Sequence, residues 1–265
     1  FGAGMVLARG CPGRLLVLAA TGNLRALLSG LVFAVAAQMT LYGLLAPARQ
    51  TVSQSWTTPG SNPDLLSAAG LDAEVGALLA LGLAAFALTL AWRNRLTAME
   101  LIAGAGVGFA VFLGWWLTHT LSEISFEPMA VKSLTFSGPS ADVLMFVLQP
   151  FEGAWDFDIG LVPGVMIGAG LTALLFGEWH WQGFDGAAAM RRYLVGAMLM
   201  GIGAMLAGGC AIGAGVTGGS TFALTAWLAL ASFWAGAAVT DRLIDYPSEV
   251  AMRGAELAPQ AHGSV

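Results

Sequence analysis

The feature that most restricts this chain is a series of apolar windows, each about 20 residues long and nearly free of charge, at roughly 24–46, 73–92, 99–118, 159–177, 188–207 and 218–240. A stretch of that length crosses the hydrocarbon core of a bilayer as a helix, because lipid offers no partner to an unpaired amide or carbonyl. A shorter apolar helix ending near Gly10 makes a seventh element. The sequence therefore reads as an all-α membrane protein. Charged residues make up 10% of the 265 positions, against about 25% in soluble domains. The net charge of −5 is dispersed over loops, which excludes a nucleic-acid partner and leaves the lipid bilayer as the surrounding medium.

Phe1 is followed by GAGMVLA with no charged segment before it, so the opening reads as the second half of an apolar helix in an N-terminally incomplete chain. The residues before Cys11 and Cys210 lack the leucine of a lipid-attachment motif. Between 118 and 158 the apolar piece 141–148 is too short to span, and it reads as re-entrant or interfacial. Arg9, Arg14, Arg25, Arg93, Arg95, Arg191 and Arg192 thread onto one face, the cytoplasmic one; Arg242 and Arg253 join them there. Gly104-x-x-x-Gly108 and Gly160-x-x-x-Gly164-x-x-x-Gly168 read as close helix contacts. Interfacial positions are expected for Trp92, Trp115, Trp116, Trp179 and Trp181, and for His119 and His180.

An internal repeat organises the chain. GAGMVLARGC (2–11) and GIGAMLAGGC (201–210) agree at six of ten positions at a separation of 199, and they end on the only two cysteines. The threading gives the two copies opposite directions, the mark of an inverted-repeat helical bundle whose substrate path uses broken helices at the repeat interface. The whole chain, 1–265, is one transmembrane domain: 1–118 the remainder of a first repeat, 119–240 the second, and 241–265 a polar cytoplasmic tail.

LAGGCAIGAGVTGGS (206–220) holds six glycines and no charge. Each glycine weakens helix by about 1 kcal/mol relative to alanine, and non-helical backbone at membrane depth must line protein or a wet cavity. Beyond the cysteines, Thr21-Gly22-Asn23 and Thr217-Gly218-Gly219 each precede the next long apolar helix; Thr217, Ser220 or Thr221 are expected to cap helix 218–240, with Thr21 and Asn23 in the equivalent place before helix 24–46. A helix N-terminus facing such a break favours an anion. A thiol is a weak, polarizable donor, suited to contacts that release as easily as they form. Two other readings fit fewer residues. A thiol-redox enzyme would be expected to carry Cys-x-x-Cys, which is absent; a structural subunit of a larger complex would use the glycines for packing alone.

GMVLARGCPGRLLVLAATGNLRALL (4–28), SLTFSGPSADVLMFVL (133–148) and GIGAMLAGGCAIGAGVTGGS (201–220) resemble the YeeE/YedE family of bacterial inner-membrane sulfur-compound transporters. The resemblance implies an hourglass-shaped helical protein with re-entrant helices, passing thiosulfate along central cysteines by transient S–H hydrogen bonds. It assigns Cys11 and Cys210 to the relay and Gly10 and Gly209 to its narrow walls. With Gly213, Thr217 and Thr21 these form the expected substrate-binding set, with no catalytic residue, metal or cofactor. A cytoplasmic sulfurtransferase is the soluble partner such uptake would supply. A third family cysteine has no counterpart here, and the repeat symmetry places roughly 65 residues before Gly2.

Overall fold

The computed structural model describes the chain except for residues 56–64, 69, 71–72, 126–130, 149–155, 185 and 258–265. The described residues are mostly helical, as the apolar windows require. The helices are α1 (Gly2–Ala8), α2 (Pro12–Ala20), α3 (Leu24–Leu41), α4 (Ala46–Ser55), α5 (Leu65–Ala68), α6 (Ala73–Arg93), α7 (Ala98–Ile124), α8 (Ser137–Leu148), α9 (Phe157–Leu175), α10 (Ala187–Leu206), a π-helical segment (Gly213–Gly218) and α11 (Leu224–Leu257). Helices long and apolar enough to cross a membrane include α3, α6, α7, α9 and α10, and α1 with α2 as one interrupted crossing. The chain is a multi-pass membrane protein. The short α8 packs against α9 and α3 instead of spanning.

Two windows divide differently from expectation. The window 24–46 ends at Leu41, where Tyr42 and Gly43 turn the chain into α4, with Leu45 N–H donating to Met39 O at 3.1 Å. The window 218–240 begins only at Leu224, because Gly213–Gly218 is a wider π coil followed by a turn. Beyond it, α11 continues to Leu257, so much of the expected polar tail is helix; Pro259 and His262 lie outside the described residues.

The core sits where α1, α3, α10 and α11 meet. α1 lies against both α10 and α11, and α3 lies along α10. Glycine permits these approaches. A Cβ on Gly2 would stand 2.0 Å from Phe233 O, and one on Gly201 would stand 2.7 Å from Phe33 O. Gly2 and Gly201 are repeat partners, and so are Phe33 and Phe233, each almost fully buried. Gly4 abuts Gly196 and Met200, whereas Gly203 abuts Phe1. Position rises along α1 as it falls along α10, so these related helices run antiparallel.

The glycines expected to bring helices together do not. Among the described residues, a Cβ on Gly104, Gly108, Gly160, Gly164 or Gly168 would meet nothing within 4 Å. Spacing places them on one face, but whether a neighbour covers that face is decided elsewhere. Leu78, Leu81, Phe109, Ile102 and Leu174 are likewise exposed, which suits side chains bathed in lipid.

These contrasts give a paired prediction for thermal unfolding in detergent. Gly201→Ala drives a Cβ into the α3 backbone and lowers stability by roughly 1–3 kcal/mol. Gly164→Ala enters open space, and its higher helix preference leaves stability unchanged or up by as much as about 1 kcal/mol.

Candidate functional site

Both cysteines occupy breaks of the same construction. α1 stops because Arg9 adopts the left-handed conformation (φ 54°), and α10 stops because its repeat partner Gly208 does the same (φ 78°). For the arginine this strain is about 1 kcal/mol. The next residue closes the turn in each case: Gly10 N–H donates to Met5 O at 3.0 Å, and Gly209 N–H to Ala204 O at 2.9 Å. This is the helix stop in which an amide reaches back five residues to a carbonyl of the last turn. Each cysteine then opens the following helix. Cys11 is the N-cap of α2, in extended conformation with Pro12 at the first helical position, and its carbonyl accepts from Leu15 N–H. Cys210 O accepts from Ala214 N–H at 2.8 Å.

The helices leaving the breaks also end alike, but in a register different from the expected one. Thr21 Oγ donates to Leu18 O, and Thr221 Oγ donates to Gly218 O. Gly22 (φ 98°) and Phe222 (φ 53°) both take the left-handed conformation. Asn23 N–H reaches Leu18 O as Ala223 N–H reaches Gly218 O. The separation is now 200, so the counterpart of Thr21 is Thr221, not Thr217. One extra residue has entered between Cys210 and Thr221. The π-helical segment, whose bonds span five residues instead of four, absorbs it.

The remaining expected residues fall into place on this frame. Thr217 does not cap α11: its Oγ donates to Leu134 O at 2.6 Å. Ser220 and Thr221 bond back to carbonyls three residues earlier and cap nothing either. Asn23 does cap α3, its Oδ1 accepting from Ala26 N–H at 2.9 Å. The extended stretch 131–135 is held between α7 and the π segment, because Ser133 Oγ also donates to Val111 O at 2.7 Å. It delivers Thr135 and Phe136 to the second cysteine.

Cys210 is 1% exposed, and Cys11 is half-buried. The Cys210 sulfur accepts from the amides of Phe136 and Gly213, both at 3.4 Å, and lies 3.7 Å from Thr135 Oγ1. Amide donors thus saturate its lone pairs and leave the S–H as a donor. Phe136 and Ile212 also press on the helix that Cys11 opens: a Cβ on Gly13, two residues after Cys11, would lie 3.1 Å from the Phe136 ring and 2.8 Å from Ile212. The close approaches are therefore at Gly13 and Gly213, the latter 2.6 Å from Thr135 Oγ1 by the same measure. Gly10 and Gly209 are looser than expected. A Cβ on Gly209 would meet nothing nearer than 3.8 Å, and one on Gly10 only the flexible Arg14 side chain at 3.2 Å.

A charged cluster at the start of α9 escaped the sequence reading. Lys132, the sole lysine of the chain, places Nζ 2.6 Å from Asp158 Oδ2 and 3.3 Å from Asp156 Oδ2. Asp158 is 6% exposed, and its other oxygen has no partner among the described residues. Burial works against the Lys132 ammonium, but Asp158 and Asp156 outweigh it and hold its pKa above the usual lysine value. Asp142 on α8 faces the same cluster; burial, then the Asp158 charge, raises its pKa above the usual carboxylate value, with Lys132 opposing. The readable signal was a lone lysine in an acidic loop preceding Asp-Phe-Asp. Nothing in the local sequence joins residues 132 and 158.

Two substitutions test this cluster by thermal unfolding. Lys132→Met leaves Asp158 buried without its cation and costs on the order of 1–3 kcal/mol, reduced from the fully buried case because the lysine is partly solvated. Asp142→Asn raises the melting temperature at neutral pH, where the ionised carboxylate is disfavoured by folding. That gain disappears as pH falls below the unfolded-state carboxylate pKa, where the acid is protonated folded or unfolded.

Residues 1–239 match the sequence profile of a family described as sulphur transport. Among characterised proteins, the chain is similar to a protein named thiosulfate transporter TsuA from Spirochaeta thermophila, 29% identical over 252 residues, which is 89% of this chain and 72% of that protein. A protein of the same name from Escherichia coli K12 is 27% identical over 124 residues, 47% of this chain and 33% of that protein.

Proposed function

The chain belongs to the sulphur transport family, and on that premise we propose that it carries thiosulfate across the inner membrane of a bacterium, from periplasm to cytoplasm. It acts as a transporter and not as an enzyme. The observation that carries this reading is the pair of matched breaks, each ending one helix on a glycine and opening the next on a cysteine. A break of this kind aims the positive end of the following helix at its own N-cap residue, where a negative charge is favoured.

Cys11 and Cys210 are the relay residues of the proposal. Because the Cys210 sulfur already accepts from two amides, its proton is available to a passing sulfur anion, and the contact formed is weak enough to be released. Gly10, Gly209 and Gly213 keep side chains out of the path near each thiol, Thr217 holds the 131–135 stretch against the π segment, and Thr21 closes α2. Phe136 and Ile212, which press on Gly13 two residues after Cys11, must shift for an anion to pass from one thiol to the other. The two repeats, 1–118 and 119–240, build one transport unit with two faces, and a cytoplasmic sulfurtransferase takes the delivered sulfur.

The test is thiosulfate uptake by a bacterial strain lacking other importers, supplied with the complete gene and grown with thiosulfate as sole sulfur source. Growth is expected with the wild type. Cys11→Ser and Cys210→Ser each replace a polarizable thiol by a harder hydroxyl, lowering initial uptake by roughly an order of magnitude. Wild-type rates in both variants, at equal membrane abundance, would discard the relay.

A further inference from the structure

Carbonyls at the end of a broken helix need donors, and in both breaks an arginine supplies one. Arg192 Nη2 donates to Val6 O at 3.4 Å, and Arg49 Nε donates to Met205 O at 3.2 Å. Val6 and Met205 are repeat partners, each five residues before its cysteine. The arginines are not partners: one comes from the first turns of α10 and the other from α4. The same backbone position has thus acquired a guanidinium twice from unrelated elements. A capping role alone asks for any donor, and water or a neutral side chain satisfies it.

The two arginines lie in different electrostatic settings. Arg192 lies beside Tyr193, whose hydroxyl accepts from Arg25 Nη1 at 3.0 Å. Arg49 follows α3, one membrane crossing away from Arg25, on the opposite face. It borders a cavity of about 480 Å³ whose other walls include Met205, Gly208, Gly209, Gly213 and Thr225. Among the described residues no acidic side chain lines this cavity, and Arg49 is its one cation. Among the described residues no carboxylate pairs with Arg49. The Met205 carbonyl occupies only Nε, leaving the outer fork of the guanidinium for a planar or tetrahedral oxyanion. The floor of the cavity is the glycine wall beside Cys210.

We infer that Arg49 is the outer docking residue of the transport path, holding a small divalent oxyanion in the Gly208–Gly213 cavity before it reaches Cys210. The Nε bond to Met205 O orients the guanidinium fork and ties it to the helix whose end forms the break. A single cation at the rim draws the anion from solution without gripping it from several sides, as a site that must release its cargo requires. The inference rests on the transport reading above and adds to it the residue that sets apparent affinity from the outside.

Initial rates of radiolabelled thiosulfate uptake, measured across concentration and ionic strength with the full-length protein, separate the possibilities. Arg49→Gln raises KM about tenfold, the loss of one charge-assisted contact, and leaves Vmax within about twofold. Arg49→Lys keeps the charge without the fork and falls between. Added salt raises the wild-type KM more steeply than that of Arg49→Gln, since the steering charge is what salt screens. Arg93→Gln, an equal change in net charge at the far end of α6, leaves KM unmoved. An Arg49→Gln protein with wild-type KM overturns the inference, and so does an equal collapse of Vmax in Arg49→Gln and Arg49→Lys with KM unchanged, which would make Arg49 a strut between α4 and α10. Should Arg49→Gln not accumulate in membranes, the salt dependence of wild type against Arg49→Lys decides: equal, flat KM values overturn it. Failure of the wild type itself to take up thiosulfate would instead remove the transport reading beneath it.

Discussion

Inside a bilayer every interrupted helix must find partners for its own end groups, and the structure of this protein is organised by that requirement. α1 and α10 both stop short of where an unbroken helix would continue. Their last carbonyls are met by the amides of Gly10 and Gly209 and by the side chains of Arg192 and Arg49. Cysteine follows at once and begins the next helix. Satisfying the backbone in this way makes a fixed, polar, narrow place within an otherwise apolar bundle, which is where an anion's charge is tolerable.

The two copies of this device have diverged without losing it. Arg9 holds the left-handed position that Gly208 holds in the other copy, and Phe222 holds the one that Gly22 holds. One added residue in the second copy is accommodated as a π segment, leaving the Cys210 side unmoved and shifting the rest of the register by one. The shift places glycine Gly213 against Thr135 and lets Thr217 reach Leu134. The second copy thereby encloses its thiol, whereas Cys11 stays half-buried with only its N-cap role described. A difference in access between two equivalent thiols suits a path that must be closed on one side at a time.

Much of this was legible beforehand because it depends on neighbours in sequence. Apolar windows gave the helices, the two Gly-Cys pairs gave the breaks, and the 141–148 piece was too short to span. The less legible parts each needed a partner far along the chain. Equal spacing made Gly160, Gly164 and Gly168 look like Gly2 and Gly201, yet only the latter two meet another backbone. The match of Thr21 with Thr217 followed the letters T-G, while the hydrogen bonds match it with Thr221.

What the sequence alone determined is the class of protein, the rough extent of most of its long helices, and the repeated cysteine-bearing breaks. Those follow from hydrophobic transfer and from glycine's conformational freedom, both local properties of the chain. Tertiary structure alone decided which glycines are contacts, that Lys132 pairs with Asp158, that Phe136 and Ile212 press on Gly13, and that Arg49 borders the cavity beside the Cys210 break. These are meetings between segments up to about two hundred residues apart, set by how helices pack and not by any pattern within a helix.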